Sequence, residues 1–587
     1  MASSAIFAAD VPVTGDITVN TTWTANNTYI MDKPIFVTGG AVLTIEPGTL
    51  ILGDEDEVAG TFGSLVVTRG SQLIAEGTAD EPIVFTAREE RDGIDGVLAN
   101  KPDPAAGNAS YWGGVVMLGN AQVNNIVSGV NQGTARIEGF PVEANTTNTT
   151  YGGGVTPNNA DNSGILKYVS IRFGGFEFAS NNEINGLTLG GVGSGTTIEF
   201  VEVVSNSDDG VEFFGGTVNT KNIAVAFCHD ESFDIDQGYS GYNQFWFAIQ
   251  NSNPTLGDYG GEWDGGFGST VTAGPETLTH IYNMTMIGTG STASGSIDDG
   301  IQLSDAFAGT LANSVIHDFN GVAMSNVGDG VESPKPVFNN NTWGAFAGGA
   351  GIVTSIGGVN ATDPAGTGNS AVGTDPQLIG ISRIPGGGLD PRPNLGSPLY
   401  TSALSDFPAG APVGFFTTTN YRGAFGGSNW LTGWTYLSQK GYLSGLPDVD
   451  TSGSGSSLTD ADGDGISDTV EAANTALGFN AAVSDATTVL GTLKTAAQFA
   501  ANYTAGENNV KNNPNTYYLY NSADILDLRT TAGVTVQKVG NIATLTVPVQ
   551  KSTGLNTWEA AGSMTLGVDV TASPTKEFYR LSVEGAQ

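Results

Sequence analysis

The chain has 587 residues, of which 59 are acidic and 21 basic, for a formal charge of −38, with 84 glycines and one cysteine. Too few bases remain to build the positive face that nucleic acid or an anionic membrane surface requires, and one cysteine leaves no disulfide within a chain. Apolar residues make up 39% and recur in short β-rich runs, which excludes wholesale disorder. In chain order, residues 1–9 read as small residues after a short apolar stretch and are taken as the remnant of a signal peptide, pointing to export. No stretch of 18 or more apolar residues follows, so insertion into a membrane is not expected.

From residue 10 to about 340 the sequence repeats. Leu43–Gly48 resembles Leu65–Gly70 at an offset of 22, and Val201–Val204 resembles Ile223–Ala226 at the same offset. Phe245–Ala248 follows at a further 22. Each unit alternates apolar and polar residues over a few positions and ends at Gly, Asn, Asp or Ser, the signature of a short half-buried strand. A strand this short cannot bury its apolar face alone, but equivalent strands stacked at about 4.8 Å can. The period predicts a mainly β fold, a right-handed parallel β-helix with about 20–25 residues per coil. A β-propeller, with blades of about 40–45 residues, is the competing architecture. Residues 87–111 and 128–163 interrupt the period and read as insertions at turns.

Residues 341–445 are expected to end and cap the solenoid, with Phe415, Phe416, Trp430 and Trp434 covering the last coil. These aromatics would otherwise form a platform for stacking sugars. Residues 446–459 contain a Ser/Gly linker. Residues 460–480 hold an acidic loop and a helix, and 481–587 form a small C-terminal α/β module. Within that module, helical patterns cover about 485–503 and 523–528, and strand patterns cover 534–539, 543–549 and 577–583.

The acidic loop is the sharpest motif. Asp460, Asp462, Asp464, Gly465 and Glu471 satisfy the spacing D-x-D-x-D-G-x5-E. Calcium takes about six to eight oxygens. Asp460, Asp462 and Asp464 alternate toward the ion, the Ile466 carbonyl and Asp468 add ligands, and Glu471 closes the site. Calcium is therefore the expected cofactor. The loop resembles those of dockerins and thrombospondin type-3 repeats, although a linker replaces the entering helix.

A second acidic feature lies on the repeat itself. Asp208, Asp209 and Glu212 stand 22 residues before Asp230, Glu231 and Asp234, with Asp236 and Asp298-Asp299 beyond. Stacked carboxylates about 5 Å apart repel and need compensation. Three readings stay open: a solvated acidic edge, calcium between coils, or a catalytic pair drawn from Asp208, Asp209, Asp230 and Asp234. Lys167, Arg172 and Lys221 are the basic residues a lyase would recruit. His229, His280 and His317 are too dispersed for a metal signature, and Cys228 reads as a buried small hydrophobe.

Leu43–Gly48 with Leu65–Thr86, Ser205–Phe247 and Tyr421–Trp434 resemble bacterial secreted or cell-surface parallel β-helix proteins over about residues 40–440. That resemblance implies fold and export more than activity. The polygalacturonase set of separate acidic, Gly-His-Gly and Arg-x-Lys motifs is absent from the sequence. The leading expectation is a secreted or cell-surface structural or adhesive protein, stabilised by calcium and assembling with itself or other surface proteins into matrix, surface layer or filament. The alternative is a polysaccharide-degrading lyase or glycoside hydrolase, or a glycan-binding protein without turnover.

Overall fold

The computed structural model describes residues 9–446 except 57–60, 141–146, 179–182, 266–273, 294–297, 327–335 and 352–365. It also describes Asp448, positions 475, 480 and 482–483, and the backbone of three strands beyond residue 534. The chain divides into two units, Met1–Ser467 and Asp468–Gln587. The first is a right-handed parallel β-helix. No described helix is long and apolar enough to cross a membrane.

Three walls of parallel strands run along the solenoid. One is a nine-stranded sheet from Pro34–Val37 through Ser64–Val67, Val115–Leu118, Leu187–Gly190, Val211–Phe214, Phe233–Asp236 and Gly261–Asp264 to Ile301–Ser304 and Met324–Asn326. The other two meet at a corner that a single residue turns. Thus Lys167 pairs with Glu199 and Val169 with Val201, while Tyr168 and Phe200 between them adopt φ of 49° and 53°. The same corner is made by Asn222, Phe245, Asn283, Asn313 and Asn340, all at φ between 54° and 61°. Asparagine tolerates this left-handed conformation. At the aromatic positions ring stacking offsets its cost, since Tyr168 and Phe200 lie 4.6 Å apart at 12°.

Strand alternation fills the interior. Along the nine-stranded sheet Leu187, Leu189, Val211, Phe213, Phe233, Ile235, Trp263 and Leu303 point inward and are buried. Trp246 crosses the interior to stack on Phe233 at 4.4 Å and Phe213 at 5.4 Å, and its Nε1 donates to Thr220 Oγ1 at 2.8 Å. The outward face of the nine-stranded sheet changes along its length. Near the N-terminus it carries Val66, Val116 and Leu118, which pack with Ile137, Phe140 and Tyr151 of the 119–163 insertion into a second apolar cluster. Past that cover it becomes acidic.

The register refines the repeat. Val201 does stack on Ile223, 22 residues on, but Ile223 stacks on Trp246, one residue further than the sequence period. Leu43 pairs with Leu73, and Leu65 with Ile35, so Leu43 and Leu65 belong to different walls. Every coil contains three look-alike amphipathic runs, and the resemblance of two runs does not say which wall each occupies.

Residues 367–374 lie along the last described strands, with Ser370 N donating to Asn341 O at 2.9 Å and Gly373 N to Gly344 O at 2.8 Å. The later stretch, with Phe415, Phe416, Trp430 and Trp434, runs back along the side instead of covering the end. Arg422 Nη1 donates to Asn341 O at 3.1 Å, Gly423 N to Asn313 O at 2.7 Å, and Phe425 meets Phe247 at 5.2 Å. Trp430 and Trp434 then stand edge-on against Phe200, and Trp434 against Tyr168. Burial of Trp434 to 1% exposure removes it as a sugar platform. The strap follows the aromatic corner because that column offers the uncovered apolar rings.

In the second unit, Thr535–Val539, Ile542–Lys551 and Glu559–Asp569 form an antiparallel three-stranded sheet. The strand at 559–569 was not expected from the sequence. The calcium loop Asp460–Glu471, the helical stretches near 485–503 and 523–528, and the strand pattern at 577–583 lie outside the described residues.

Candidate functional site

The acidic residues gather where the insertion's apolar cover stops. Strand pairing places Glu212 beside Asp234, Asp234 beside Glu262, and Glu262 beside Gln302 in one outward column of the nine-stranded sheet. Two residues further along each strand lie Asp236 and Asp264. The turn that feeds the sheet supplies a second column. Gly210 N bonds to Glu231 O, and Gly186 N to Asp209 O, stacking Asp208 with Asp230 and Asp209 with Glu231. The sequence-derived candidates Asp208, Asp209, Asp230 and Asp234 thus come together.

They do not form a solvated edge. Asp209, Glu231 and Glu212 are only 4%, 5% and 6% exposed, whereas Asp208, Asp230 and Asp234 are half-buried. Three sets of carboxylates bring one oxygen each within 4.8 Å of one another: Asp208, Asp209 and Asp230; Asp209, Glu212 and Asp234; and Asp230, Glu231 and Asp258. Two like charges 4.8 Å apart repel by about 3.5 kcal/mol at an effective dielectric constant of about 20. No ion pair among the described residues reaches any of these seven groups.

The consequence is a row of reluctant anions. Burial, then the charges of Glu138, Asp230 and Glu183, pushes Asp208 up to about 8. Asp209 and Glu212 are held well above the usual carboxylate range, first by burial. Burial and the neighbouring Glu231 do the same to Asp234. Asp264 rises to about 7 and Asp258 to about 6, again chiefly by burial. Hydrogen bonds relieve part of the row. Asn185 Nδ2 donates to Glu212 Oε2 and, at 3.3 Å, to Glu138 Oε1, and Glu231 N donates to Asp209 Oδ1 at 3.0 Å.

The basic residues named from sequence lie elsewhere. Lys167 pairs with Glu199 on another wall, Arg172 with Glu90, and Lys221 donates to Phe415 O and Thr417 Oγ1 beneath the strap. His280 stacks on Tyr242, and His317 Nδ1 accepts from Ala345 N. Only His229 adjoins the row. Cys228 is buried and its thiol is pushed up to about 12. Glu138, Asp258, Glu262 and Asp264 were missed from sequence. The pair Glu262 and Asp264 was legible, since Gly-Glu-Trp-Asp at 261–264 matches Phe-Asp-Ile-Asp at 233–236.

Three walls of parallel strands, two of them meeting at a one-residue left-handed corner, define a parallel β-helix. Residues 15–333 match the pectate-lyase-like β-helix domain, more than half of the chain, and the chain belongs to that family. Neither a search of curated proteins nor one of solved structures returned a match.

Proposed function

We propose that this chain is an exported polysaccharide-degrading β-helix protein, with the acidic row of the nine-stranded sheet as its glycan site. The observation that carries this reading is the placement of Asp208 and Asp230 on adjacent coils, half-buried, with carboxylate oxygens within 4.8 Å. Glycoside hydrolysis uses two carboxyl groups, about 5–5.5 Å apart in retaining enzymes and about 6.5–9.5 Å in inverting ones. The Asp208–Asp230 spacing favours retention. Asp208 supplies the proton to the leaving oxygen, and Asp230 meets the anomeric carbon.

The family supports the polysaccharide reading better than the structural or adhesive role that the rod-like sequence suggested. Calcium binding at the Asp460–Glu471 loop remains part of the proposal on its residue spacing. The test is incubation of the full chain with a panel of neutral and acidic polysaccharides. Reducing ends, ultraviolet absorbance of unsaturated products and the anomeric configuration of the first product are followed. Reducing ends without unsaturation, lost in Asp208→Asn, support hydrolysis. Binding without any product would make the protein a glycan-binding module, and neither binding nor product would overturn the reading.

A further inference from the structure

We propose that Tyr259 is the residue on which a sugar ring of the substrate rests, and that this ring is uncharged. The inference rests on the glycan reading above and deepens it. Tyr259 lies on the turn that feeds the strand Gly261–Asp264 of the nine-stranded sheet, directly after Asp258. Asp258 shares with Asp230 and Glu231 a set of carboxylate oxygens within 4.8 Å of one another. The turn is held on both sides of the ring. Gln250 Nε2 donates to Asp258 O at 3.2 Å and to Tyr259 O at 3.1 Å, and Gly260 N donates to Asp299 O at 3.0 Å. Gly260 approaches the next coil so closely that a Cβ there would stand 2.5 Å from Gly300 O.

The fold makes no use of the ring so placed. Tyr168, Tyr239, Tyr282 and Tyr436 each sit against another ring, and Tyr111 packs on the apolar core. Tyr259 is half-buried, yet among the described residues it has no ring contact, joins neither apolar cluster and makes no hydrogen bond through its hydroxyl. A fixed aromatic with polar neighbours and no internal partner suits a sugar, whose C–H face packs on the ring while its hydroxyls find hydrogen-bonding groups. Burial, then the charges of Asp258, Asp299, Glu262 and Glu231, pushes the Tyr259 hydroxyl up to about 12, so it stays protonated and can donate. The four carboxyls accept from sugar hydroxyls. None of them has an ion pair among the described residues, so the carboxylate of a uronate would add one more uncompensated anion.

The test measures binding of the full chain, carrying Asp208→Asn to block turnover, to neutral polysaccharides (glucan, xylan, mannan) and to polyuronates at neutral pH in chelator. A neutral polymer should bind more tightly than any polyuronate. Tyr259→Ala should weaken that binding about 3–10-fold, the worth of one aromatic contact. Tyr259→Phe, which keeps the ring, should bind as the parent does. Both variants should keep the parent's unfolding midpoint, because the ring packs on no core cluster. With Asp208 intact, Tyr259→Ala should raise KM and leave kcat unchanged, the mark of binding that is equal in ground and transition states. Unchanged affinity in Tyr259→Ala, or a polyuronate bound more tightly than every neutral polymer, overturns the proposal and leaves the glycan reading standing. If no polymer is bound or cleaved, the glycan reading falls and this inference falls with it.

Discussion

Glu202 accepts hydrogen bonds from the backbone N–H of Tyr436 at 2.6 Å and of Leu437 at 3.4 Å, joining the middle of the solenoid to a segment 234 residues later. The carboxylate is fully buried and also accepts from Ser170 Oγ at 2.6 Å. It satisfies two orphan donors at the start of the short helix Tyr436–Gln439, whose other end is held by Lys440 on Glu90 at 2.8 Å. Burial raises this carboxyl, and the nearby Arg172 charge and these donors offset part of that cost while they stay in place. The strap and the corner it covers are therefore one cooperative structure.

Glu202→Ala should release this anchor. It leaves two backbone N–H groups and the Ser170 hydroxyl without their acceptor, and a buried donor left unpaired costs about 1–3 kcal/mol. Denaturant unfolding measures the change. Limited proteolysis should show new cleavage between residues 430 and 446 before the solenoid walls are cut. A variant with parental stability and an uncut strap would show that Glu202 does not hold it.

The left-handed corner makes a prediction of unusual sign. Asn313 sits at φ 56° and exchanges hydrogen bonds with Ser405, its Oδ1 accepting from Ser405 N at 2.7 Å and its Nδ2 donating to Ser405 O at 3.2 Å. Asn313→Ala and Asn313→Gly both lose those bonds. Alanine also pays the steric cost of the left-handed region, about 1–2 kcal/mol. Glycine should therefore be the more stable replacement by about 1 kcal/mol, the reverse of their order in a helix. Thermal unfolding of the two variants side by side decides it.

How far this was legible in the sequence depends on what each residue needed. The stacking of Val201 on Ile223 follows from period and alternation alone, because burial of one strand face requires a neighbour of the same pattern. Corner residues such as Phe200 and Phe245 carry no such mark, since a phenylalanine at positive φ looks like any apolar residue in a β run. The gathering of Asp208 with Asp230 was legible from the 22-residue offset. The elevation of Asp208 was not, because burial and then the charge of Glu138, on an insertion that leaves the repeat, raise it. Trp434 was legible as apolar. Its resting place on Tyr168 depends on a chain path that no local pattern encodes.

For a polymer that the full chain cleaves, Asp208 and Asp230 should behave as partners in one reaction. Asp208→Asn keeps the side-chain shape and removes the proton that the leaving oxygen needs, so kcat should fall about 10²–10⁴-fold. Asp230→Asn should fall at least as far, since it removes the nucleophile. The double variant should be little worse than either single one, as for groups that act as a unit. Steady-state rates of reducing-end release measure all three. Full additivity would mean that the two carboxyls do not share a step.

Stability should depend on pH in the sense set by the raised carboxyls. Asp258, raised to about 6 by burial and then by the charges of Asp230, Glu262, Asp299 and Asp298, keeps its proton in the folded chain above the pH at which an unfolded aspartate loses it. Asp264 behaves likewise at about 7, with Asp236, Glu262 and Asp305 as its charged neighbours and Ser304 donating to it. An unfolded aspartate titrates at about 3.9. Between that pH and about 7 the folded chain binds more protons than the unfolded one, so stability falls as pH rises. The contribution is whole below about pH 4 and is lost as pH passes through the two raised values. Asp92 acts in the opposite sense. It is lowered to about 2, chiefly by its hydrogen bond from Arg91, and its contribution is lost only as pH falls through that value. In chelator, the unfolding midpoint should therefore drop from pH 5 to pH 8. A chelated chain equally stable at both pH values would mean that these carboxyls are solvated and ionised throughout.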